Sequence, residues 1–369
     1  MVAITGSNGK TTTKELLRSI LAYHHGADAV LATAGNFNNL VGLPLTAMRM
    51  TAEHRVAVLE MGMNAPGEIA RLTEIAGPTH ALITCVASAH LEGLGSIEGI
   101  ARAKGELFAG LDESATAIVN LDDHRVAELG RTLHTGPRLG YGRDGRVHVD
   151  EIHEVGLERA RFELVFEPAP EDSDRLSDRR PVTLALGGRH NVHNATAAAA
   201  CALALGLDPD TIAAGLEAAE PPPMRVSVEA LGNGVAVVND AYNANPHSLA
   251  AALATLSDGA PGRSIVVLGE MLELGPQAAD LHRQAGRDAA RIEPVLVCAL
   301  GAHARQITEG ALEAGLPEDR LFAVDAGGHA RIAAAVAGVW KAGDSVLVKG
   351  SRGARMELVV EEMKRLAES

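Results

Sequence analysis

The chain opens on an apolar, β-branched run, VAIT (2–5), which breaks into GSNGK and then into TTTKELLRSILAYH. In that last stretch Leu16, Leu17, Ile20 and Leu21 recur at helical spacing. A strand, a glycine loop and a helix in immediate succession restrict the chain to an α/β architecture. The loop must turn sharply, and its small residues let backbone N–H groups point outward at the start of the helix. The strict phosphate-loop pattern G-x-x-x-x-G-K-[ST] fails at its first glycine, where Ile4 stands, and Gly6 comes two residues later. A chance glycine turn is the bland account; the strand before and the helix after favour phosphate binding.

Further apolar runs, RVAVLEMG (55–62), HALITCVA (80–87) and TAIVNLDD (116–123), are separated by helical stretches. Continuous apolar strands of this kind predict a parallel sheet covered on both faces. Between residues 146 and 186 the pattern changes. RVHVDEIHEV and ARFELVF alternate polar and apolar residues, then comes EPAPEDSDRLSDRRP, then VTLALGG. This predicts a small antiparallel patch with an exposed, mobile turn. GRHNVHNATAAAACALALG reads as a helix with an alanine-rich packing face. EPPP (220–223) cannot lie inside a helix or a central strand, so it marks a boundary. Beyond it VAVVNDAYN, SIVVLGE, PVLVCALG and SVLVKGS are strand-like and end in polar or glycine residues. The 369 residues therefore divide into a phosphate-loop domain over 1–222 and a Rossmann-like α/β domain over 223–369.

Composition excludes some partners. A net charge of −14 with no long basic run argues against nucleic acid and anionic membrane surfaces. No apolar run approaches the ~20 residues that span a bilayer. Aromatics are 2% of the chain, so the core must come from Ala, Val and Leu. Cys85, Cys201 and Cys298 are scattered through apolar contexts, which predicts buried thiols in a reducing, cytoplasmic setting.

Several constellations carry chemistry. In TGSNGKTT (5–12), Gly6, Ser7, Asn8 and Gly9 form the loop, Lys10 can reach β- and γ-phosphates, and Thr11 can place a hydroxyl on Mg²⁺, with Thr12 beside it. Glu60 ends a strand and is placed for a cation, although a solvated strand-end acid accounts for it equally well. His90 and Lys104 lie within ASAHLEGLGSIEGIARAKGELF; a structural histidine and a solvated helical lysine are the plain alternatives to a metal role. Asn191 and Asn194 share a helix face in GRHNVHNA and can read an adenine edge, or Asn191 can cap the helix. Arg225 follows the prolines, where it can swing onto a γ-phosphate or be a surface charge. Asp240 ends a strand in NDAYNANPHS, where it can hold a ribose hydroxyl or a cation, while Asn243, Asn245 and Pro246 make a turn. GEMLELG with His282, and LVKGSRGARME with Lys349, Ser351 and Arg352, also follow strands. The second puts two cations and a hydroxyl at one strand end, which suits a carboxylate-bearing substrate, although a salt-bridged surface accounts for it as well.

In this order TGSNGKTT, VLEMG, the His90–Lys104 spacing, GRHNVHNA, Arg225 and NDAYNANP resemble the Mur ligase family over essentially the whole chain. GNFNNLVGLPLT, NANPHS, GEMLELG and LVKGSRGARME resemble the members that add D-alanyl-D-alanine to UDP-N-acetylmuramoyl-tripeptide in peptidoglycan precursor synthesis. The resemblance implies that ATP phosphorylates the tripeptide carboxylate and that the dipeptide amine attacks the acyl phosphate. It implies two Mg²⁺ sites, one at Thr11 and Glu60, the other at His90 and a CO₂-derived carbamate on Lys104. Lys10 would stabilise charge, Asn191 and Asn194 would lie near adenine, and Arg225 near the γ-phosphate. Asp240 and Tyr242 would meet the nucleotide, and Asn36 the nucleotide-sugar. Asn243, Asn245, Lys349, Ser351 and Arg352 would serve substrate binding. A monomer is expected, with the second domain closing onto the first to exclude water. Members also carry an N-terminal domain for uridine diphosphate; here the loop strand starts at Val2, so that domain is expected to be absent. Alternatives are another amino-acid-adding ligase, such as a folylpolyglutamate type, or a non-catalytic nucleotide-binding remnant.

Overall fold

The computed structural model describes residues 1–87, 91–172, 174–222, 224–225 and 227–368. Contacts divide them into two compact units. The first comprises Met1–Glu154, Ala160–Ala185 and His190–Glu220; the second comprises Val155–Arg159, Leu186–Arg189 and Pro221–Ser369.

The first unit begins β1 (Val2–Thr5), α1 (Lys10–His25), β2 (Val30–Ala32), α2 (Gly42–Ala47), β3 (Val56–Glu60), α3 (Glu68–Ala76) and β4 (His80–Ile83). It continues α4 (Leu91–Leu94), α5 (Ile97–Ala109), β5 (Thr116–Asn120), α6 (His124–Leu133), β6 (Arg138–Tyr141), β7 (Val147–Val155), β8 (Ala160–Phe166), β9 (Asp178–Leu184), α7 (Arg189–Ala204) and α8 (Pro209–Glu217). The strands form one sheet in the order β2-β3-β1-β4-β5-β6-β7-β8-β9. β1 pairs in parallel with both β3 and β4, and β8 with β9 is antiparallel. The expected parallel sheet with an antiparallel patch is thus present. β1 is buried throughout because helices cover both faces of the sheet. From β1 the chain moves to one side, through β2 and β3, and then crosses to β4 on the other. The crevice beside β1 is therefore a switch point, where open α/β sheets receive ligands.

Three readings change. The turn expected across EPAPEDSDRLSDRRP is shorter, because β9 begins at Asp178 and takes in Pro181 opposite Glu163. Proline lowers the strand signal of that run, yet it is tolerated here because β9 is the last strand of the sheet. The arginines of that strand stand outward, and Arg179 bonds Asp150 and Glu163 at 2.6 Å each. Short strands β2 and β6 carry too few residues to show a period. Cys85 is only partly buried, whereas Cys201 and Cys298 are buried, and all three are free thiols.

The second unit adds β10 (Ser227–Ala230), β11 (Ala236–Asp240), α9 (Pro246–Gly259), β12 (Ser264–Gly269), α10 (Ala278–Ala290) and β13 (Leu296–Leu300). Then follow α11 (Ala304–Glu313), β14 (Leu321–Val324), α12 (His329–Ala337), β15 (Ser345–Lys349) and α13 (Glu357–Ala367). Its sheet runs β10-β11-β15-β12-β13-β14, parallel except for β10. Alternate residues enter two cores, one holding Val266, Leu268 and Leu347, the other Ile265, Val267, Val346 and Val348. The cores are aliphatic, as the 2% aromatic content requires. No helix among the described residues is long and apolar enough to cross a membrane.

With small side chains, helices can approach closely. α10 and α11 meet through two glycines. A Cβ on Gly286 would lie 1.8 Å from the Ile307 carbonyl oxygen, and one on Gly310 would lie 1.9 Å from that of Arg283. Gly286→Ala is therefore expected to lower stability by about 2 kcal/mol through overpacking. Helix propensity alone would raise it by about 1 kcal/mol. The sign of the change in denaturant midpoint decides between the two.

Candidate active site

The loop between β1 and α1 takes its shape from two glycines. Gly6 has φ +149, and a Cβ there would lie 1.8 Å from Thr84 Oγ1. Gly9, the N-cap of α1, has φ +81, and a Cβ there would lie 2.3 Å from Asn194 Oδ1. Both positions exclude side chains by conformation and by contact. Gly6 thus does the work for which the strict pattern places a glycine at residue 4.

The segment after β4 anchors the loop. Ser7 N donates to Cys85 O at 2.9 Å, Thr84 Oγ1 donates to Asn8 O at 2.6 Å, and Ser7 Oγ lies 2.9 Å from both Ala87 N and Ala87 O. That segment is itself fixed. Asn120 Nδ2 donates to Thr84 O at 2.7 Å, and Val86 N donates to the carboxylate of Asp123, the N-cap of α6. Lys10 folds back so that its ammonium donates to Gly6 O at 2.8 Å. Its charge therefore lies over the loop's own mouth.

Glu60, buried at the end of β3, accepts from Thr11 Oγ1 at 2.8 Å through one oxygen and from Asn38 Nδ2 at 2.8 Å through the other. Its N–H donates to Thr33 Oγ1. The structure thus brings together Thr11 and Glu60 from distant parts of the chain. Asn36, expected to face the nucleotide-sugar, is exposed, and Asn38 of the same GNFNN run, which the sequence does not single out, reaches the Glu60 carboxylate. Spacing alone gave no way to choose between the asparagines; the turn that directs Asn38 O to accept from Gly62 N at 2.7 Å does.

From α7, Asn194 approaches Gly9 and Thr13 Oγ1 (3.4 Å), and its amide donates to Asn191 Oδ1 at 3.1 Å. The two asparagines therefore share one face at the loop, and Asn191 lies inside the helix. On α5, Lys104 is 2% exposed, and its ammonium has no hydrogen-bond partner among the described residues. Burial holds its pKa well below the ordinary lysine value, and the positive charge of Lys10 pushes the same way. His90 lies outside the described residues.

In the second unit the predicted residues gather at the carboxyl ends of the strands. Lys349 pairs with Asp240 at 2.5 Å and donates to Asn243 O at 2.9 Å. Ser351 Oγ donates to Ala244 O at 3.2 Å. Asn245 caps α9 in a reciprocal box with Ser248. The guanidinium of Arg225 lies 4.0 Å from the Tyr242 ring centroid. Arg352 is exposed and bonds Glu357 at 2.9 Å. The two cations expected to meet a carboxylate at this strand end therefore already have carboxylate partners.

A model of the Mur ligase middle domain matches residues 4–202, and a model of the Mur ligase glutamate ligase domain matches residues 224–352. The chain is 36% identical over 372 residues to the UDP-N-acetylmuramoyl-tripeptide--D-alanyl-D-alanine ligase of Escherichia coli K12, covering 99% of this chain and 76% of that one. Among solved structures, MurF from Acinetobacter baumannii superposes with a TM-score of 0.87 at 34% identity, covering 99% of this chain and 76% of that one. MurF from Thermotoga maritima in complex with ADP gives 0.84 at 29% identity, covering 100% and 80%. The chain spans about three quarters of the length of these relatives. Two consecutive family models across the sheet, the loop and the second unit, together with this identity, show that the chain belongs to the Mur ligase family.

Proposed function

We propose that this chain is an ATP-dependent carboxylate–amine ligase that joins D-alanyl-D-alanine to UDP-N-acetylmuramoyl-tripeptide through an acyl phosphate. It would act in the cytoplasm, as a monomer, in peptidoglycan precursor synthesis. The observation that carries this reading is the phosphate loop with the Thr11–Glu60 hydroxyl–carboxylate pair beside it and, within electrostatic reach of Lys10, the buried Lys104, which has no hydrogen-bond partner among the described residues. The named ligase at 36% identity supplies the substrates, and the ADP complex of the Thermotoga maritima relative supports ATP. In this reading residues 1–222 form the ATP-binding domain and residues 223–369 the second ligase domain.

The loop N–H groups of Gly6, Asn8 and Gly9, with Thr12 behind them at the start of α1, receive phosphate oxygens, while Ser7, whose own N–H is held by Cys85 O, fixes the loop in that shape. Lys10 leaves Gly6 O and neutralises charge that builds during phosphoryl transfer. Asn191 and Asn194 contact the adenine, and Arg225, Asp240 and Tyr242 the remainder of the nucleotide. Asn36, Asn243, Asn245, Lys349, Ser351 and Arg352 serve the two substrates. Thr11 and Glu60 offer two hard oxygens 2.8 Å apart, a donor set that fits Mg²⁺. Mg²⁺ bound there would offset phosphate charge. A second ion would be held by His90 and by Lys104 once carbamylated. An ammonium cannot ligate a cation, but a buried amine held neutral can take up CO₂ and become a carboxylate-like ligand.

Phosphate release is expected to require ATP, Mg²⁺, the UDP-muramoyl-tripeptide and D-alanyl-D-alanine together. Release that persists with both co-substrates omitted would sink the ligase reading. Lys10→Ala is expected to lower kcat about 1,000-fold, the scale of losing a main stabiliser of transition-state charge. Lys104→Ala is expected to lose about 100-fold or more and to regain part of it with formate or acetate. Labelled bicarbonate should give a carbamate carbon signal in the unsubstituted chain and none in Lys104→Ala. Because burial lowers the Lys104 pKa, that signal should persist at a pH where an exposed lysine is fully protonated.

A further inference from the structure

The reaction just described leaves one requirement unassigned. An α-amino group arrives largely as an ammonium, with a pKa of about 8, and an ammonium has no lone pair for attack. A proton acceptor is needed, and no residue placed so far is positioned as one.

The second unit holds a pair with that chemistry. Glu270 directly follows β12, and its carbonyl accepts from Ser351 N at 2.9 Å, which fixes it against the end of β15. Ser351 Oγ in turn accepts from Leu272 N at 2.9 Å. Gly301, after β13, has φ +118, and a Cβ there would lie 3.1 Å from Glu270 Cβ and 3.2 Å from Oε2. A glycine at this position leaves room for the carboxylate to lie across the strand end. One carboxylate oxygen is 2.8 Å from His303 Nδ1, at the start of α11. With Nδ1–H donating to Glu270, His303 Nε2 carries the lone pair. Among the described residues that nitrogen has no hydrogen-bond partner, and the side chain is 28% exposed.

The ring is also held in plane. His282, fully buried on α10, stacks on His303 with centroids 4.5 Å apart and planes 13° apart. His282 Nε2 accepts from Met271 N at 2.9 Å, so its Nδ1 carries the proton and donates to Ala278 O at 2.7 Å. Both ring nitrogens are thereby committed to the neutral form, and burial favours it further by lowering the pKa. His282 therefore orients its neighbour without adding charge. Among the described residues, the titratable groups in contact with His303 are Glu270, just after β12, and His282 of α10. Nearby arginines are engaged elsewhere, Arg305 with Glu309, and Arg283 with Glu309 and Glu313.

We propose that the Glu270–His303 pair is the proton acceptor for the ammonium of the incoming dipeptide, with His282 as a positioning residue. This rests on the ligase reading above. His303 Nε2 takes one ammonium proton, and the freed nitrogen lone pair forms the new C–N bond at the acyl carbon. The carbonyl reforms as the C–O electron pair leaves with phosphate. The second nitrogen proton passes to the departing phosphate, which leaves as hydrogen phosphate. Nδ1–H stays with Glu270, whose negative charge stabilises the imidazolium.

The test compares two acceptors, with ATP, Mg²⁺ and UDP-muramoyl-tripeptide present throughout. D-alanyl-D-alanine must lose a proton, whereas hydroxylamine is already neutral near pH 7 and traps the acyl phosphate without a base. His303→Gln is expected to lower kcat/KM for the dipeptide about 100-fold at pH 7 and to leave hydroxamate formation unchanged. The acid limb of its pH profile should move up toward the ammonium's own range, about 8. Glu270→Gln, which removes a charge whose one side-chain partner among the described residues is His303, should shift the limb in the same direction with a smaller loss. Equal losses with both acceptors, or an unmoved acid limb in both variants, would overturn the assignment. An unsubstituted chain that forms no tripeptide-dependent hydroxamate would overturn the ligase reading, and the base with it.

Discussion

The first unit's site depends on how closely two pieces of backbone approach each other. The loop after β1 and the segment after β4 are joined by backbone and hydroxyl hydrogen bonds, and Gly6 sits where any Cβ would strike Thr84. Gly9 does the same against Asn194 of α7. The contacts at these glycines locate α7 beside the loop, turn the first N–H groups of α1 outward, and bring Thr11 to Glu60. A side chain at either glycine would displace the loop from its anchor, not merely strain it. The arrangement is prepaid in backbone geometry, so little reorganisation remains for ligand binding to supply.

Charge is then distributed unequally over this frame. Glu60 has both oxygens satisfied by neutral donors, so it remains an acceptor-rich anion suited to a cation. Lys104, equally buried, has no carboxylate partner among the described residues, and desolvation drives it toward the neutral amine. Lys349 takes the opposite solution and pairs directly with Asp240, which offsets the cost of burying either charge alone. Lys349 and Lys104 thus have opposite chemistry because, among the described residues, the first has a counter-ion and the second has none. The Glu270–His303 pair is a third case. It is half-exposed at the strand ends, with one ring nitrogen committed and the other open.

Much of this was legible in the residues. Long apolar strands, the glycine loop and the helix after it specify a parallel α/β unit, because each obeys a local period or a local backbone rule. Shorter strands were not visible. β2, β6, β10 and β14 have three or four residues each, too few to show a period, and β9 contains a proline that only an edge position tolerates. The site was legible as residue types, such as Lys10, Thr11, Glu60 and Lys104, but not as partners. Asn36 and Asn38 are equivalent as sequence, and only the turn decides that Asn38 reaches Glu60. Lys349 and Arg352 read as either substrate cations or salt-bridged ones, and only tertiary structure supplies Asp240 and Glu357 as their partners.

The sequence by itself determined what is local: that the long apolar runs and the periodic stretches between them alternate as strands and helices, that the first turn must present N–H groups, and which side chains could carry charge. Tertiary structure alone decided which of those charges are satisfied. Counter-ions and stacking partners come from residues far apart in the chain, Asp240 with Lys349, Glu270 with His303 and His282, and Lys104 with none among the described residues. Desolvation depends on everything packed around a group, and no run of neighbouring residues contains that information.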